Sequence, residues 1–175
     1  MASRPPARFD PEQILESLRA HGVVFIIVGG VAARLHGSPQ LTTDLDLSPE
    51  PTRHNLERLA SALSTMQPFK IDPRFRSPRR HVVTTEELEN EPTTSYLTKW
   101  GRIDVLRQLD GVGGYEQLSR GAVLSDLGDG LEVRIAALDD IIASKKASAR
   151  AKDRAQLPLL EELRAELQDG VADGE

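Results

Sequence analysis

Residues 29–47 read GGVAARLHGSPQLTTDLDL, in which a glycine pair precedes two closely spaced aspartates. Glycines such as Gly29 and Gly30 let a phosphate approach the backbone closely, because no side chain intervenes. In a strand, residues two apart point to the same face, so Asp44 and Asp46 are expected to face one site. A divalent cation relieves the repulsion between two such carboxylates. The stretch therefore predicts a metal-assisted site that acts on a nucleotide.

The neighbouring residues predict how this stretch folds. Residues 23–28 form a continuous apolar run, which is typical of a central strand covered on both faces. The glycine pair ends that strand, residues 31–36 are expected to form a short helix closed by Gly37, and residues 42–47 a second strand. Two plainer interpretations stay open: the glycines only make a tight turn, and the aspartates lie at an exposed strand end or cap a helix.

The remaining pattern mixes strands with helices. Helices are predicted from Pro11 to Gly22, over 52–64 and 115–120, and then over 138–149 and 153–167. Short strands are predicted over 69–71, 81–84, 95–99 and 102–106, with loops over 68–78 and 86–92, and a hairpin joins 122–127 to 131–135. We therefore expect an α+β fold with a mixed central β-sheet, flanking helices and a C-terminal helical segment. The expected division is a core over 1–136, C-terminal helices over 137–168 and an acidic tail over 169–175.

The composition limits the possible functions. At 175 residues the chain is large enough for one domain with its own core. The chain has no cysteine, so any metal must bind oxygen or imidazole ligands. Its longest apolar run, residues 23–33, is too short to span a bilayer, and we expect a cytoplasmic protein without a membrane partner. The net charge of −5 argues against indiscriminate nucleic-acid binding.

Two local basic stretches stand out against that acidic total. Residues 74–81 hold four arginines and a histidine, and residues 145–154 hold five lysines and arginines. The first stretch is the better candidate for contact with an RNA backbone, although a solvated loop is an equal alternative.

Asp104 lies in the segment RIDVL, residues 102–106, which alternates like a strand. It is a candidate third ligand for the predicted metal site. The alternative is a salt bridge to a neighbour such as Arg102 or Lys99. Three acids, each near the end of an apolar strand, fit a two-metal phosphoryl-transfer site better than three unrelated structural roles.

These residues carry a resemblance. The glycine pair, the R-L-x-G helix and the T-D-L-D strand resemble the opening motif of the polymerase-β-type nucleotidyltransferase superfamily, and Asp104 matches its third acid. Residues 138–160, LDDIIASKKASARAKDRAQLPLL, are similar to a block of the small bacterial nucleotidyltransferases related to the AbiEii and MenT toxins. The superfamily motif is the more specific of the two.

The resemblance implies transfer of a nucleoside monophosphate from an NTP, such as ATP, to an acceptor. It implies that Asp44, Asp46 and Asp104 ligate two Mg²⁺ ions, or Mn²⁺, and that Asp104 helps to deprotonate the attacking hydroxyl. The implied catalytic set also includes Lys145, which would neutralise triphosphate charge with help from Lys152 or Arg150, and Asp153, which would orient a lysine or the nucleotide. The implied nucleotide-binding set is Gly29, Gly30, Arg34, Thr43, Lys145 and Lys152.

Several details of this assignment have alternatives. Gly30 stands where a serine often follows the first glycine, so the hydroxyl contact to phosphate is either missing or supplied by Thr42, Thr43 or Ser38. Arg34 has the alternative of pairing with Asp44 or Asp46. Lys145 and Lys146 have the alternative of a solvated helix face.

The acceptor that the resemblance favours is the tRNA 3′ end, with the protein as the toxin of a toxin–antitoxin system and a cognate antitoxin as partner. A protein or a small molecule such as an antibiotic is an alternative acceptor. A third hypothesis is a catalytically inactive nucleotide-binding partner module, which the presence of all three acids disfavours.

Overall fold

The computed structural model describes residues 8–148 and 150–172, which form seven helices and eight strands. The helices are α1 (Pro11–Ala20), α2 (Gly29–Leu35), α3 (Arg53–Thr65), α4 (Thr85–Asn90), α5 (Tyr115–Gly121), α6 (Leu138–Ser148) and α7 (Ala151–Ala172). The strands are β1 (Phe25–Val28), β2 (Asp44–Pro49), β3 (Phe69–Ile71), β4 (Arg79–Arg80), β5 (Thr93–Thr98), β6 (Gly101–Leu106), β7 (Val123–Asp126) and β8 (Glu132–Ile135).

All eight strands join one mixed sheet in the order β4-β3-β5-β6-β2-β1-β8-β7. The pairs β2–β6 and β1–β8 are parallel, and the other pairs are antiparallel. With the helices around this sheet, the predicted α+β class is confirmed.

The predicted apolar strand, β1, lies in the interior of the sheet between β2 and β8. Ile26, Ile27 and Val28 of β1 are fully buried, and Leu45 and Leu47 of the neighbouring β2 are buried beside them. β-branched residues favour such a doubly covered strand because they pack well on a pleated surface. These two strands therefore provide a rigid base at the point where the aspartates lie.

The register between β2 and β6 sets the positions of the acids. Asp46 lies directly opposite Asp104, and Asp44 lies opposite Arg102. Directly opposed residues on neighbouring strands point to the same face of a sheet. Val28, the last residue of β1, lies opposite Asp46 on the other side of β2. The chain that follows β1 therefore passes close to the acids.

Helix α2 begins at Gly29, earlier than the predicted start at residue 31. Gly29 has a φ of +63°, a conformation that L side chains rarely adopt, and a Cβ there would lie 2.2 Å from Oδ2 of Asp46. The glycine pair is therefore the first turn of the helix and not a break before it. A larger residue at Gly29 would displace the Asp46 side chain.

Two predicted elements were wrong. Residues 81–84 do not form a strand, because the chain pairs with β3 slightly earlier, at Arg79–Arg80. The predicted loop over 86–92 contains α4, which Thr84 caps by accepting a hydrogen bond from the backbone N–H of Glu87. Such a threonine cap satisfies a backbone donor that a helix start would otherwise leave unpaired. Strand β2 also runs through Pro49, beyond the predicted end at residue 47.

The C-terminal third follows the prediction more closely. β7 and β8 form the predicted hairpin around residues 128–130, and α6 packs against α7 and α2. Helix α7 continues through Ala172, so part of the predicted tail is helical, while residues 173–175 lie outside the described residues. The division into core, C-terminal helices and tail stays a prediction. Within the described ranges, none of the helices has the length and apolar character that crossing a membrane requires.

Candidate metal and nucleotide site

Asp44, Asp46 and Asp104 meet at one point of the sheet. One carboxylate oxygen from each lies within 4.8 Å of the corresponding oxygen of the other two. Strand alternation places Asp44 and Asp46 on one face, and the parallel pairing of β2 with β6 brings Asp104 beside them. The sequence predicted that the three acids share one site, and the structure adds the strand pairing that brings Asp104 there.

Arg102 also belongs to this cluster. Its Nε and Nη2 donate to the two carboxylate oxygens of Asp104 at 2.9 Å each. This is the salt bridge that the sequence offered as the alternative for Asp104. The structure thus shows both relations, since Asp104 contacts Arg102 and also lies within the acid cluster. Hydrogen bonding to Asp104 raises the pKa of the Arg102 guanidinium further.

The environment of Asp46 disfavours its charged form. Burial is the largest cause, followed by the charges of Asp44 and Asp104, and together they raise the pKa of Asp46 to about 7. Arg102 and Lys145 oppose this shift but do not cancel it. A carboxylate held in this way is one that a bound cation would strongly stabilise in its ionised form.

The glycine pair packs against the start of β2. A Cβ on Gly30 would lie 2.8 Å from Oγ1 of Thr42, so the threonine hydroxyl fills the space next to this glycine. That hydroxyl also donates to Oδ1 of Asp44 at 2.9 Å. Thr42 lines the cavity of the acids, whereas the predicted Thr43 is exposed and does not.

Arg34 is placed away from the acids. Its side chain is exposed and donates to the backbone carbonyl of Gln40 at 3.1 Å. It neither lines the cavity nor pairs with Asp44 or Asp46 in the described structure. This contact holds the loop after α2 in place, which is a structural role.

A second charged cluster faces the acids from α6 and α7. Lys145 donates to Oδ1 of Asp153 at 3.3 Å and to Oε1 of Gln156, and its side chain is only 13% exposed. The solvated-face alternative for Lys145 is therefore wrong, whereas Lys146 is half-exposed and pairs with Glu161. Asp153 is buried, and it also accepts hydrogen bonds from Ser148 and Arg150.

Asp153 stays ionised in this setting. Burial works against its charge, but hydrogen bonds from Ser148 and Arg150 and the nearby charge of Lys145 lower its pKa below the usual value. The carboxylate therefore holds the Lys145 ammonium within the cavity.

The two clusters line one open cavity of about 310 Å³. Its walls include Gly29 and Gly30, the three acids, Lys145, Lys152 and Asp153. The sequence named Thr42, with Thr43 and Ser38, as a possible source of the hydroxyl contact to phosphate, but it did not identify Ser148 or Gln156 as lining residues. Ser148 could have been found by its spacing of three from Lys145 on one helix.

The residues present fit a divalent cation. Carboxylate oxygens are the ligands that Mg²⁺ and Mn²⁺ prefer, and three lie close enough to share an ion. Asp44, Asp46 and Asp104 would hold it. The raised pKa of Asp46 supports this fit, since a cation would compensate the crowded negative charge.

No protein-family model and no curated protein sequence matches the chain. Solved structures do match. One is a solution structure of the antibiotic-resistance factor ANT(2'')-Ia, with a TM-score of 0.58, 15% identity and coverage of 93% of this chain and 91% of that chain. A second is the lincomycin-bound lincosamide antibiotic adenylyltransferase LnuA, with a TM-score of 0.58, 11% identity and coverage of 86% and 94%.

A crystal structure of ANT(2'')-Ia with adenylyl-2''-tobramycin also matches, with a TM-score of 0.53, 14% identity and coverage of 92% and 96%. At identities this low, the likeness shows the fold. The chain therefore has a nucleotidyltransferase fold over most of its length, as the resemblance to the polymerase-β-type superfamily predicted.

Proposed function

We propose that this protein transfers a nucleoside monophosphate from an NTP to an acceptor hydroxyl with the help of two Mg²⁺ ions, or Mn²⁺. The proposal depends above all on one observation, the meeting of Asp44, Asp46 and Asp104 in a cavity that also holds Lys145. The nucleotidyltransferase fold supports it.

In the proposed reaction, the acceptor oxygen forms a bond to the α-phosphorus, and the bond from that phosphorus to the bridging oxygen breaks. Pyrophosphate leaves with the electron pair, and the hydroxyl proton passes to the Asp104 carboxylate. Divalent ions held by the acids would lower the pKa of the hydroxyl and offset triphosphate charge. The backbone at Gly29 and Gly30, which also lines the cavity, would approach the triphosphate.

Lys145 and Lys152 supply positive charge on the α6–α7 side of the cavity. Lys145 is held by Asp153 and Gln156, so little side-chain freedom remains to be lost when a triphosphate binds. We assign Lys145 to the β- and γ-phosphates, Lys152 to an assisting role and Asp153 to positioning Lys145.

The test is transfer from each α-labelled NTP in the presence of Mg²⁺ and candidate acceptors. Asp46→Asn should lower transfer by more than about 100-fold, the usual cost of removing a group that stabilises transition-state charge. It should also lose Mn²⁺ binding in calorimetry. The matched control is Asp129→Asn in the exposed hairpin turn, which should behave as wild type. Unchanged transfer by Asp46→Asn would refute the assigned site.

For the acceptor, we propose the tRNA 3′ end, with the protein acting as a toxin whose antitoxin is a second protein. The support is the resemblance of residues 138–160 to toxin nucleotidyltransferases and the basic stretch at 74–81. Sequencing the 3′ ends of cellular RNA after expression would test this. Added nucleotides on tRNA, together with growth arrest relieved by Asp46→Ala, are the expected results.

A small-molecule antibiotic is the second candidate acceptor. ANT(2'')-Ia is described as an antibiotic-resistance factor and LnuA as a lincosamide antibiotic adenylyltransferase, and both share this fold. The three acids act on the NTP half of the reaction and do not distinguish the acceptors. Label on an aminoglycoside or a lincosamide, with none on RNA, would establish this second candidate.

A further inference from the structure

The face of the sheet that carries the acids continues as a partly open strip towards β4. In β5, Thr94, Tyr96 and Thr98 are buried, whereas the alternating Ser95 and Leu97 are only partly buried. This alternation is typical of an antiparallel sheet with one covered face and one face towards solvent. The open face is the one that faces the acids.

The strand register shows this continuity. One row runs from Asp46 through Asp104 and Ser95 to Ile71. The next row runs from Asp44 through Arg102, Leu97 and Phe69 to Arg80. Directly opposed residues share a face, so both rows lie on the same side of the sheet. We name the part beyond β6 the acceptor strip; it consists of Ser95, Leu97, Phe69, Ile71 and Arg80.

We propose that the acceptor strip binds the 3′-terminal segment of a single-stranded RNA and directs its last hydroxyl towards the acids. This proposal rests on the nucleotidyl transfer proposed above and names the surface that holds the acceptor. In it, Arg80 contacts the RNA backbone, and Leu97 and Phe69 contact bases.

The distance from the acids to the far end of the acceptor strip favours a chain over a small molecule. Asp44 and Arg80 are separated by four strand-to-strand steps, which corresponds to about 19 Å at the usual spacing of ~4.8 Å. A compact ligand bound at the acids would leave the far end uncovered. An extended oligonucleotide reaches from one end to the other.

The charge at the far end favours a polyanion. Residues 69–80 include five lysines and arginines against one acid, although the whole chain has a net charge of −5. Lys70 pairs with Glu87 and Glu91, Arg74 pairs with Asp72, and Arg79 lies over the ring of Phe75. Arg76 and Arg80 form no ion pair within residues 8–148 and 150–172. Unpaired guanidinium groups at the surface suit phosphate oxygens.

The middle of the strip is apolar, which suits bases. Leu97 and Phe69 lie side by side between Arg102 and Arg80. Nucleic-acid bases stack on aromatic side chains such as Phe69 independently of sequence, and Leu97 extends this apolar surface. An apolar centre with a guanidinium group at its far end, Arg80, therefore matches the chemistry of single-stranded RNA.

The experiment compares RNA binding by charge-reversal variants. The probe is a 3′-hydroxyl single-stranded RNA with a 5′-fluorescein label, measured by fluorescence anisotropy at several salt concentrations. Arg80→Glu should weaken binding by about tenfold and reduce the salt slope by about 0.7, the value expected when one phosphate is no longer neutralised. Leu97→Glu should weaken binding similarly. The matched control, Arg19→Glu on the exposed side of α1, should bind as wild type.

The outcomes separate this proposal from the proposed function. Thermal melting and retained Mg²⁺–NTP affinity show that Arg80→Glu is folded and keeps its donor site. Loss of RNA binding in both strip variants, with the control intact, supports the strip. Equal RNA binding by all variants, or transfer to an antibiotic without RNA binding by the wild type, overturns it while the transferase activity stands. Absence of NTP binding by the wild type would instead refute the proposed function.

Discussion

Arg102 and Asp104 form a two-point ion pair, with Nε and Nη2 of the arginine each 2.9 Å from a carboxylate oxygen of the aspartate. A cation that binds the three acids must share Asp104 with this guanidinium or displace it. The pair therefore competes with a cation for Asp104.

Replacing Arg102 should accordingly increase metal affinity. We expect Arg102→Ala to bind Mn²⁺ about tenfold more tightly without nucleotide, since a charged hydrogen bond of ~1.5 kcal/mol no longer competes. Isothermal titration calorimetry measures this. Arg102→Lys, which keeps the charge but not the paired geometry, should lie between the two, and Arg120→Ala on the exposed side of α5 is the control. Unchanged affinity in Arg102→Ala would show that the ion pair does not compete.

The raised pKa of Asp46 predicts a pH-dependent stability of the metal-free protein. A carboxyl group with a pKa of about 7 in the folded state binds a proton more tightly there than in the unfolded state, where the value is 3.8. The contribution of Asp46 to the free energy of unfolding is therefore full below pH 3.8 and is lost as the pH rises through 7. The upper bound of the loss is about 4 kcal/mol.

Asp46→Asn removes this titration. In EDTA at pH 8 we expect the variant to be more stable than wild type, with a smaller difference at pH 5. Urea unfolding at both pH values measures the free energies, and Asp129→Asn is the control. If the free energy of unfolding depends on pH in the same way in the wild type and in Asp46→Asn, the buried Asp46 carboxylate does not destabilise the protein at high pH.

The strands that carry the acids could be predicted from the sequence, but their arrangement could not. Continuous apolar runs and alternation identify β1, β2 and β6, because side-chain burial imposes those periods. The parallel pairing that places Asp104 beside Asp46 depends on which strands become neighbours and in what register, and local periodicity does not encode this. Likewise, the contact of Lys145 with Asp153 depends on how α7 packs against α6.

The position of Thr42 against Gly30 predicts a compensating exchange. Thr42→Gly should weaken NTP binding, because it removes the hydroxyl next to the glycine turn. Gly30→Ser alone should be less stable than wild type, since its Cβ would lie 2.8 Å from Oγ1 and 2.9 Å from Cβ of Thr42. The double variant should recover both NTP binding and stability, because Thr42→Gly removes both of these atoms and the serine hydroxyl then occupies their space.

Calorimetry with Mg²⁺–NTP and thermal melting give the two readouts for this exchange. The coupling between the substitutions should be at least about 1 kcal/mol, in the range expected for residues in contact. Thr42→Ser, which keeps the hydroxyl, serves as the control. Additive effects of the two substitutions would show that the hydroxyl of Thr42 does not replace a serine at position 30.

Lys145 and Lys146 are adjacent on α6, yet their surroundings predict opposite effects of substitution. Lys145 is nearly buried in the cavity and is held by Asp153, whereas Lys146 is half-exposed and pairs with Glu161. Lys145→Ala should weaken NTP affinity by about tenfold or more, because it removes a charged hydrogen bond to phosphate of ~1.5–3 kcal/mol. Lys146→Ala, with the same change of charge, should leave NTP affinity unchanged.

Asp153→Asn tests whether Asp153 positions Lys145 or contacts the nucleotide itself. The variant keeps the lysine but removes the carboxylate that holds its ammonium group, so NTP affinity should fall by less than in Lys145→Ala. The double variant should be no weaker than Lys145→Ala alone, because Asp153 acts through the lysine. Titration calorimetry of all four proteins measures this, and circular dichroism shows whether α6 and α7 stay folded. Equal losses for Lys145→Ala and Lys146→Ala would indicate a general charge effect and remove Lys145 from the phosphate site.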